Sequence, residues 1–580
     1  MKAQPIIFHV NLKEPYTHII EMICQIPNPQ KKQLVSLPTW TLGSYLIRDF
    51  AKQVVQIQSK TSFRKLNKHT WEFDTQGSAL EIRYEVYAFD PSIRGVYFDQ
   101  FMCLLNGTSI FLKPHGFEKH DFQVQIHLES PAIQNWTIET TLPSLSSKNI
   151  FTAKDYDELV DHPFLLGNLQ RHRFMSSETP HEFILDAKYP GDFKRICDDL
   201  SKICQTHIQL FQEKPPFDFY KFLARVEEDG YGGLEHRASS MLLCKPTDFP
   251  KTGSSEMPEH YRSFLGLCSH EYFHAWNVKR LKPQAFVNPD YEQECYTTLL
   301  WVFEGITSYY DDLALVRSQV ISKESYLDLL SKAITRVLYT PGRQVQNLAD
   351  SSFDTWIKFY RPDENTPNSQ ISYYLKGGIV ALALDLTIRI QTKNQKSLDD
   401  VMRYLWNHKT IREQGIGEAE FESVCEEVSG ISLKAFFDEA IRGIKDIQLE
   451  PLLKEFGVSY KLKQENSSQV YLGARIKKTD QHDVVLQTVL IGSPAMNAGL
   501  ASGDSILSLD DVQVKSHTYE SILSRYQAGE KARYQASRRG HIFSGTILFE
   551  NSPEDVCQLD CSSNMTKTQK KLQDSWLFLS

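Results

Sequence analysis

The sequence predicts a multidomain α+β chain: an N-terminal antiparallel β-sandwich, a mainly helical middle domain, and a smaller third domain in which strands return. Three observations predict it. Residues 1–170 alternate apolar and polar side chains with a period of two, as in Leu80-Glu81-Ile82-Arg83-Tyr84-Glu85-Val86-Tyr87. Turn pairs such as Asn28-Pro29, Asp90-Pro91 and Asn106-Gly107 separate these runs. Residues 171–452 change to helical spacing. From 453 to 550 the period of two comes back, and 551–580 reads as a polar tail apart from Trp576-Leu577-Phe578-Leu579 at its end.

Composition narrows the function classes. The 580 residues are enough for three or four domains, and 41% hydrophobic content supplies their cores. A net charge of −8 and a pI near 6.2 leave no basic footprint, so nucleic acid is not an expected partner. No apolar run reaches the roughly 18–20 residues of a membrane helix. The first residues, MKAQPIIFHVNLKEPY, alternate like a strand and lack the apolar core of a signal peptide. A cytoplasmic protein with no membrane partner is the expectation. The ten cysteines match no disulfide framework and no zinc ribbon, which predicts reduced, buried thiols. Cys557 and Cys561 stand four apart with no second pair nearby.

Taken in order, the aromatic stretch 40–50 (WTLGSYLIRDF) reads as a packed strand corner. Apolar residues at 193, 196, 200, 203, 204, 208 and 211 predict a helix over 192–213, and a strand follows at 219–226. A helix over 255–278 has Pro258 near its start, where the missing N–H does little harm. Pro283 and Pro289 mark an irregular connection, and 292–317 reads as one long helix. Further helices are expected at 325–337, 372–391, 397–408, 418–428 and 432–443, with Ser397-Leu398-Asp399-Asp400 as a capping start.

The chemistry gathers on His270-Glu271-Tyr272-Phe273-His274. Histidines four apart share one helix face, so both imidazoles can meet one ion. Two imidazoles and a carboxylate suit Zn²⁺ and leave a position for water, from which Glu271 can take a proton. Chance alone yields such a pattern in on the order of a few per cent of chains of this histidine content. Its neighbours therefore matter. Glu304, thirty residues after His274, sits in an apolar and aromatic run, where a carboxylate is costly unless paired or metal-bound. It is the expected third ligand, with Glu294 as the alternative. Asp311 and Asp312 are candidates to orient a ligand histidine, or else surface charges. Tyr374 is a candidate hydrogen-bond donor to the oxyanion, with Tyr373 competing. Gly232-Gly233-Leu234-Glu235-His236 follows a strand; its glycines allow close approach of a substrate strand, and Glu235 can meet a substrate α-ammonium.

Together these segments resemble the M61 glycyl aminopeptidase family of zinc metallopeptidases, in a form with a C-terminal PDZ domain. The resemblance rests on Gly232 to His236, on His270 to Asn277 with Val278-Lys279-Arg280, on Leu300-Trp301, Glu304-Gly305 and Tyr309-Tyr310, and on Tyr374-Leu375-Lys376-Gly377. Pro38-Thr39-Trp40 and Gly43-Ser44-Tyr45-Leu46-Ile47-Arg48-Asp49 add to it, with Leu42 where the family usually has proline. It implies a thermolysin-like catalytic domain of the gluzincin kind that takes one Zn²⁺ per chain. His270, His274 and Glu304 would be its ligands and Glu271 the general base and acid. Glu235 and Tyr374 fall where the related M1 aminopeptidases bind the substrate amine and stabilise the transition state, although His236 replaces their asparagine. A preference for N-terminal Gly and Ala is a further implication. Leu472-Gly473-Ala474 resembles a PDZ carboxylate-binding loop, and 492–509 resembles the matching run of bacterial-type PDZ domains.

A zinc aminopeptidase acting on peptides with a free N-terminus is thus the expected function, with peptide C-termini as a second partner class at the PDZ domain. Two alternatives stay open: a zinc endopeptidase whose substrates dock at the PDZ domain, and an inactive peptidase fold serving as a PDZ adaptor.

Overall fold

The computed structural model describes residues 4–145, 149–465, 470–478 and 483–578. The N-terminal domain holds three sheets. The largest has six strands in the order Ile150–Ala153, Phe122–Leu128, Ile6–Leu12, Ile19–Ile26, Leu80–Tyr87 and Val54–Gln58. Ile6, Phe8, Val10 and Leu12 face inward, as do Ile20, Met22, Cys24 and Ile26 on the next strand, which is what the period of two requires. One pairing departs from the antiparallel expectation. Ile6–Leu12 runs parallel to Phe122–Leu128, from Ile6 opposite Phe122 to Leu12 opposite Leu128. A parallel pair needs a long crossover, and the intervening hundred or so residues of the domain supply it.

The middle domain opens with a five-stranded sheet in the order Gln170–Ser176, Thr179–Leu185, Tyr220–Val226, Ser239–Cys244, Gly232–Glu235. The last strand is antiparallel to its neighbour and forms the sheet edge. Behind the sheet lie helices Phe193–Phe211, Glu259–Phe273, Ile306–Arg317, Lys323–Leu338, Leu375–Gln391 and Leu398–Asn407. The capping box at Ser397 and Asp400 is present. The helix expected over 292–317 begins only at Trp301, with a π turn over Trp301–Gly305 that runs into Ile306–Arg317. Residues before it are drawn off to the N-terminal domain. The Tyr291 carbonyl accepts from Thr39 N at 2.7 Å, the Asp290 carbonyl from Trp40 Nε1 at 2.9 Å, and Glu292 Oε1 from Ser36 Oγ at 2.8 Å. Tertiary bonds outcompete local helical preference there. The helix expected over 255–278 is trimmed to Glu259–Phe273, since Pro258 is extended and caps it.

The third domain has its own core, with Val470, Leu472, Val484, Leu486, Ile506, Leu509, Tyr534 and Ile547 among its members. Its sheet runs Ala474–Lys478, Val484–Val489, Ser505–Leu509, Lys531–Arg538, His541–Leu548. The polar stretch after the third domain is structured over residues 551–578. Glu554–Cys561 pairs antiparallel with Val458–Gln464, and helix Lys567–Leu577 buries Trp576 and Leu577 in the main core. Few apolar residues carry this segment, so its periodicity is faint, but they include a tryptophan with no exposed surface. The third domain is therefore an excursion from a catalytic body whose chain returns to close it. All ten cysteines are free, eight of them buried. Among the described residues, no helix is long and apolar enough to cross a membrane.

Candidate active site

His270 lies in the last turn of Glu259–Phe273, and His274 caps that helix. Their Nε2 atoms converge on Glu304 Oε2, at 3.6 Å and 3.2 Å. Each opposite ring nitrogen is held in place. His270 Nδ1 bonds Asp311 Oδ2 at 2.9 Å, and His274 Nδ1 donates to the Asn277 carbonyl at 2.8 Å. These bonds fix the tautomer that leaves both Nε2 lone pairs pointing inward. Two imidazoles and a carboxylate whose donor atoms lie within 4.8 Å of one another suit a zinc ion. Glu294, the alternative ligand, lies outside this group. Asp311 is brought to the site as a histidine partner, whereas Asp312 bonds neither ring.

The backbone is shaped for this convergence. Glu304 sits in the π turn, an irregularity that often marks functional positions in helices. Asn277 Nδ2 donates to the carbonyls of Val302 and Phe303, at 3.0 Å and 3.2 Å, so one asparagine ties the end of the motif helix to the Glu304 segment. Next to it Val278 adopts φ 98°, a conformation that costs a β-branched residue about 1–3 kcal/mol. The bond from Val278 N to the Leu281 carbonyl, 2.7 Å, holds it there. A Cβ on Gly305 would stand 2.6 Å from Gly377 Cα, so two glycines let the helix Leu375–Gln391 press against the Glu304 segment. That contact sets Tyr374, just before this helix, beside the site. Its ring is centred 6.1 Å from the His270 ring and its hydroxyl is 3.4 Å from Tyr360 OH. Tyr373 points away and bonds Thr355 at 2.9 Å in the core. Burial and the Glu304 charge raise the Tyr374 hydroxyl well above its usual range, so it stays protonated and able to donate.

The edge strand Gly232–Glu235 lies over the motif helix. A Cβ on Gly233 would collide with the Glu271 carboxylate, and one on Gly43 would collide with that of Glu235. Glu235, Glu271 and His274 form a second cluster with donor atoms within 4.8 Å. Glu235, Glu271, His274 and Glu304 are each at most 5% exposed. Glu235 Oε1 and Glu271 Oε2 are buried without a hydrogen-bond partner. Burial, opposed by the two imidazoles and reinforced by Glu235 and Glu304, pushes Glu271 up to about 7. For Glu304 burial acts upward too, but the imidazoles beside it prevail and hold it at about 2. His236 turns to the other face of the hairpin, its Nδ1 3.9 Å from Asp161 Oδ1. The loop residues Leu472, Gly473 and Ala474 lie in the separate third domain. There the Leu472 and Gly473 carbonyls accept from Ala495 N and Leu490 N, and Ala474 opens the edge strand of that sheet.

Besides Gly43, the N-terminal domain sends two side chains into the site. Tyr45 OH donates to Glu304 Oε1 at 3.1 Å, and Arg94 Nη2 donates to the Gly233 carbonyl at 2.8 Å. The stretch 40–50 is thus more than a packed corner. The only sequence signal for Tyr45 was its place in a family-like run, and Arg94 had none.

The model of the M61 glycyl aminopeptidase family matches residues 263–380, that of the M61 peptidase N-terminal domain matches 7–168, and that of the PDZ domain matches 449–528. No curated protein matches the chain. A crystal structure of an aminopeptidase N family protein from Idiomarina loihiensis is 33% identical, covering 99% of this chain and 100% of that one with a TM-score of 0.94. An M1 zinc metallopeptidase from Deinococcus radiodurans is more distant, at 13% identity, 77% and 95% coverage and a TM-score of 0.47. With matches to both M61 domains and a full-length relative at this identity, the chain belongs to the M61 glycyl aminopeptidase family of peptidases and carries a PDZ domain towards its C-terminal end.

Proposed function

We propose that the protein is a zinc-dependent aminopeptidase that removes small residues, Gly and Ala, from the N-terminus of peptides. The observation that carries this is the second carboxylate cluster. Glu235 has a buried oxygen without a partner, close to Glu271 and His274, at the end of a strand that a substrate can extend. An unpaired buried carboxylate is costly, and an α-ammonium placed there would satisfy it. The preference for Gly and Ala is the one that membership of the glycyl aminopeptidase family implies.

His270, His274 and Glu304 would hold one zinc ion, which when bound supplies a Lewis acid for the attacking water and the scissile carbonyl. Glu235 binds the α-ammonium and so sets the scissile bond opposite Glu271. Glu271 takes a proton from the water as its oxygen bonds to the carbonyl carbon, then passes that proton to the leaving nitrogen as the C–N bond breaks. Tyr374 donates a hydrogen bond to the oxyanion between these events. Glu271→Gln is expected to lower kcat for glycyl and alanyl p-nitroanilides by about 10²–10⁴-fold at unchanged thermal stability, and a chelator to remove activity that added zinc restores. Wild-type rates in that variant would remove Glu271 from the mechanism.

The PDZ domain supports a second role. Among the described residues Ala474–Lys478, which Leu472-Gly473 lead into, pairs on one side alone, an edge suited to take up a peptide C-terminus as an added strand.

A further inference from the structure

Arg94 lies against the edge strand Gly232–Glu235, and the proposed mechanism gives it no role. It sits on a turn of the N-terminal domain fixed by the bond from Ser92 N to Asp90 Oδ1, 2.9 Å, and by the buried Ile93. Its Nη2 reaches the Gly233 carbonyl on the edge strand at 2.8 Å. Both terminal nitrogens lie 3.9 Å from where a Cβ on Gly232 would be. Its Nε is buried without a hydrogen-bond partner. Among the described residues, no carboxylate forms an ion pair with it. Among the described residues its one hydrogen-bond acceptor is the Gly233 carbonyl, which leaves most of the five donors of the fixed fork open to a ligand.

Its position along the strand gives this a direction. Glu235 and Gly233 share the face towards the site, and Gly232 follows beyond. Glu235 marks the amine end, and Gly233 lies against Glu271, where the bond breaks. Arg94 comes next, on the side of the leaving residues. Strand rise is about 3.3 Å per residue, so Glu235 is about 7 Å from Gly233 and about 10 Å from Gly232. Extended di- and tripeptides span about those lengths between amine and carboxylate.

Building on the aminopeptidase reading, we propose that Arg94 is a specificity-determining residue that binds the C-terminal carboxylate of di- and tripeptide substrates. Glu235 and Arg94 then form a ruler with opposite charges at its two ends. On binding, the guanidinium exchanges the Gly233 carbonyl for the carboxylate, and that carbonyl becomes free to accept from the substrate backbone. Longer peptides place a neutral amide at Arg94 and forgo the charge-assisted bonds.

The test compares Gly- and Ala-initiated di- and tripeptides as free acids and as C-terminal amides, with the zinc-loaded full-length protein. The wild type is expected to favour the acids by about 10- to 100-fold in kcat/KM, the range of a charge-assisted hydrogen bond to an ion. R94M is expected to bring the acid-to-amide ratio near one, and R94K to fall between. The ratio separates recognition from support of the strand, because loss of support at Gly233 lowers both substrates equally. A wild-type ratio of one, or an equal loss on acid and amide in R94M, overturns the assignment of Arg94. N-acetylated forms of the same peptides complete the set: if they are cleaved as fast as the free ones, the aminopeptidase reading falls and this proposal falls with it.

Discussion

Each of the three converging ligand candidates is steadied by a partner from elsewhere in the chain: Asp311 for His270, the Asn277 carbonyl for His274, and Tyr45 for Glu304. Such partners orient a ligand and tune its basicity, and losing one typically weakens metal binding about 10- to 100-fold. Tyr45→Phe removes one hydroxyl from a fully buried ring and little else. It is expected to weaken zinc binding by about 10-fold, read by competition with a chelator, and to leave the unfolding midpoint close to wild type. Unchanged zinc affinity would make the Tyr45 bond incidental. The pair Tyr373 and Tyr374 illustrates the limit of reasoning at this scale. Spacing cannot decide between adjacent tyrosines at the start of a helix, whereas the fold does, by turning one towards Thr355 and the other towards His270.

At the scale of elements, the active site depends on how two helices meet. Gly305 in the Glu304 segment and Gly377 in Leu375–Gln391 touch backbone to backbone, and this sets Tyr374 beside the ligand candidate His270. Gly305→Ala forces these segments apart. The expected result is a destabilisation of about 1–3 kcal/mol in denaturant unfolding, as for other overpacked sites, together with a fall in kcat. Full activity at wild-type stability would mean that the contact has slack. Much at this scale was legible. The motif helix, the strand before it, the helix Phe193–Phe211 and most later helices follow from periodicity and capping, since their inward faces pack in one core. The helix expected over 292–317 failed in its first part because its bonding partners, Ser36, Thr39 and Trp40, lie some 250 residues away. Tyr45 and Arg94 were hidden for the same reason. A side chain that crosses from one domain into the site of another leaves no local pattern, and an aromatic run reads first as packing.

At the scale of the whole molecule, the chain closes on itself. Arg317 on the helix that follows Glu304 donates to the Trp576 carbonyl at 3.1 Å, and Trp576 Nε1 donates to Tyr309 OH at 3.0 Å. Tyr309 and Arg389 in turn bond Asp385, and Tyr310 and Arg317 bond Asp399. The last helix is thus part of the core that carries Glu304 and Asp311. Trp576→Ala is expected to destabilise the protein by about 3–5 kcal/mol and to lower its melting temperature accordingly. A shift within error would show that the last helix merely rests on the surface. The third domain touches this body through Asn368, which accepts from Ile491 N and donates to the Val489 carbonyl, each at 2.9 Å. Asn368 lies six residues before Tyr374, so the PDZ domain is anchored near the catalytic cleft. The N-terminal domain supplies Gly43, Tyr45 and Arg94, and no single domain builds the site alone. On the proposed reading this composite site counts from the substrate's amine, through Glu235. The most direct measurement is kcat/KM of the zinc-loaded protein for one alanyl peptide with its N-terminus free and acetylated. A preference for the free peptide of about 100-fold or more, the worth of one buried charge pair, is the predicted result. Equal rates on the two would contradict it.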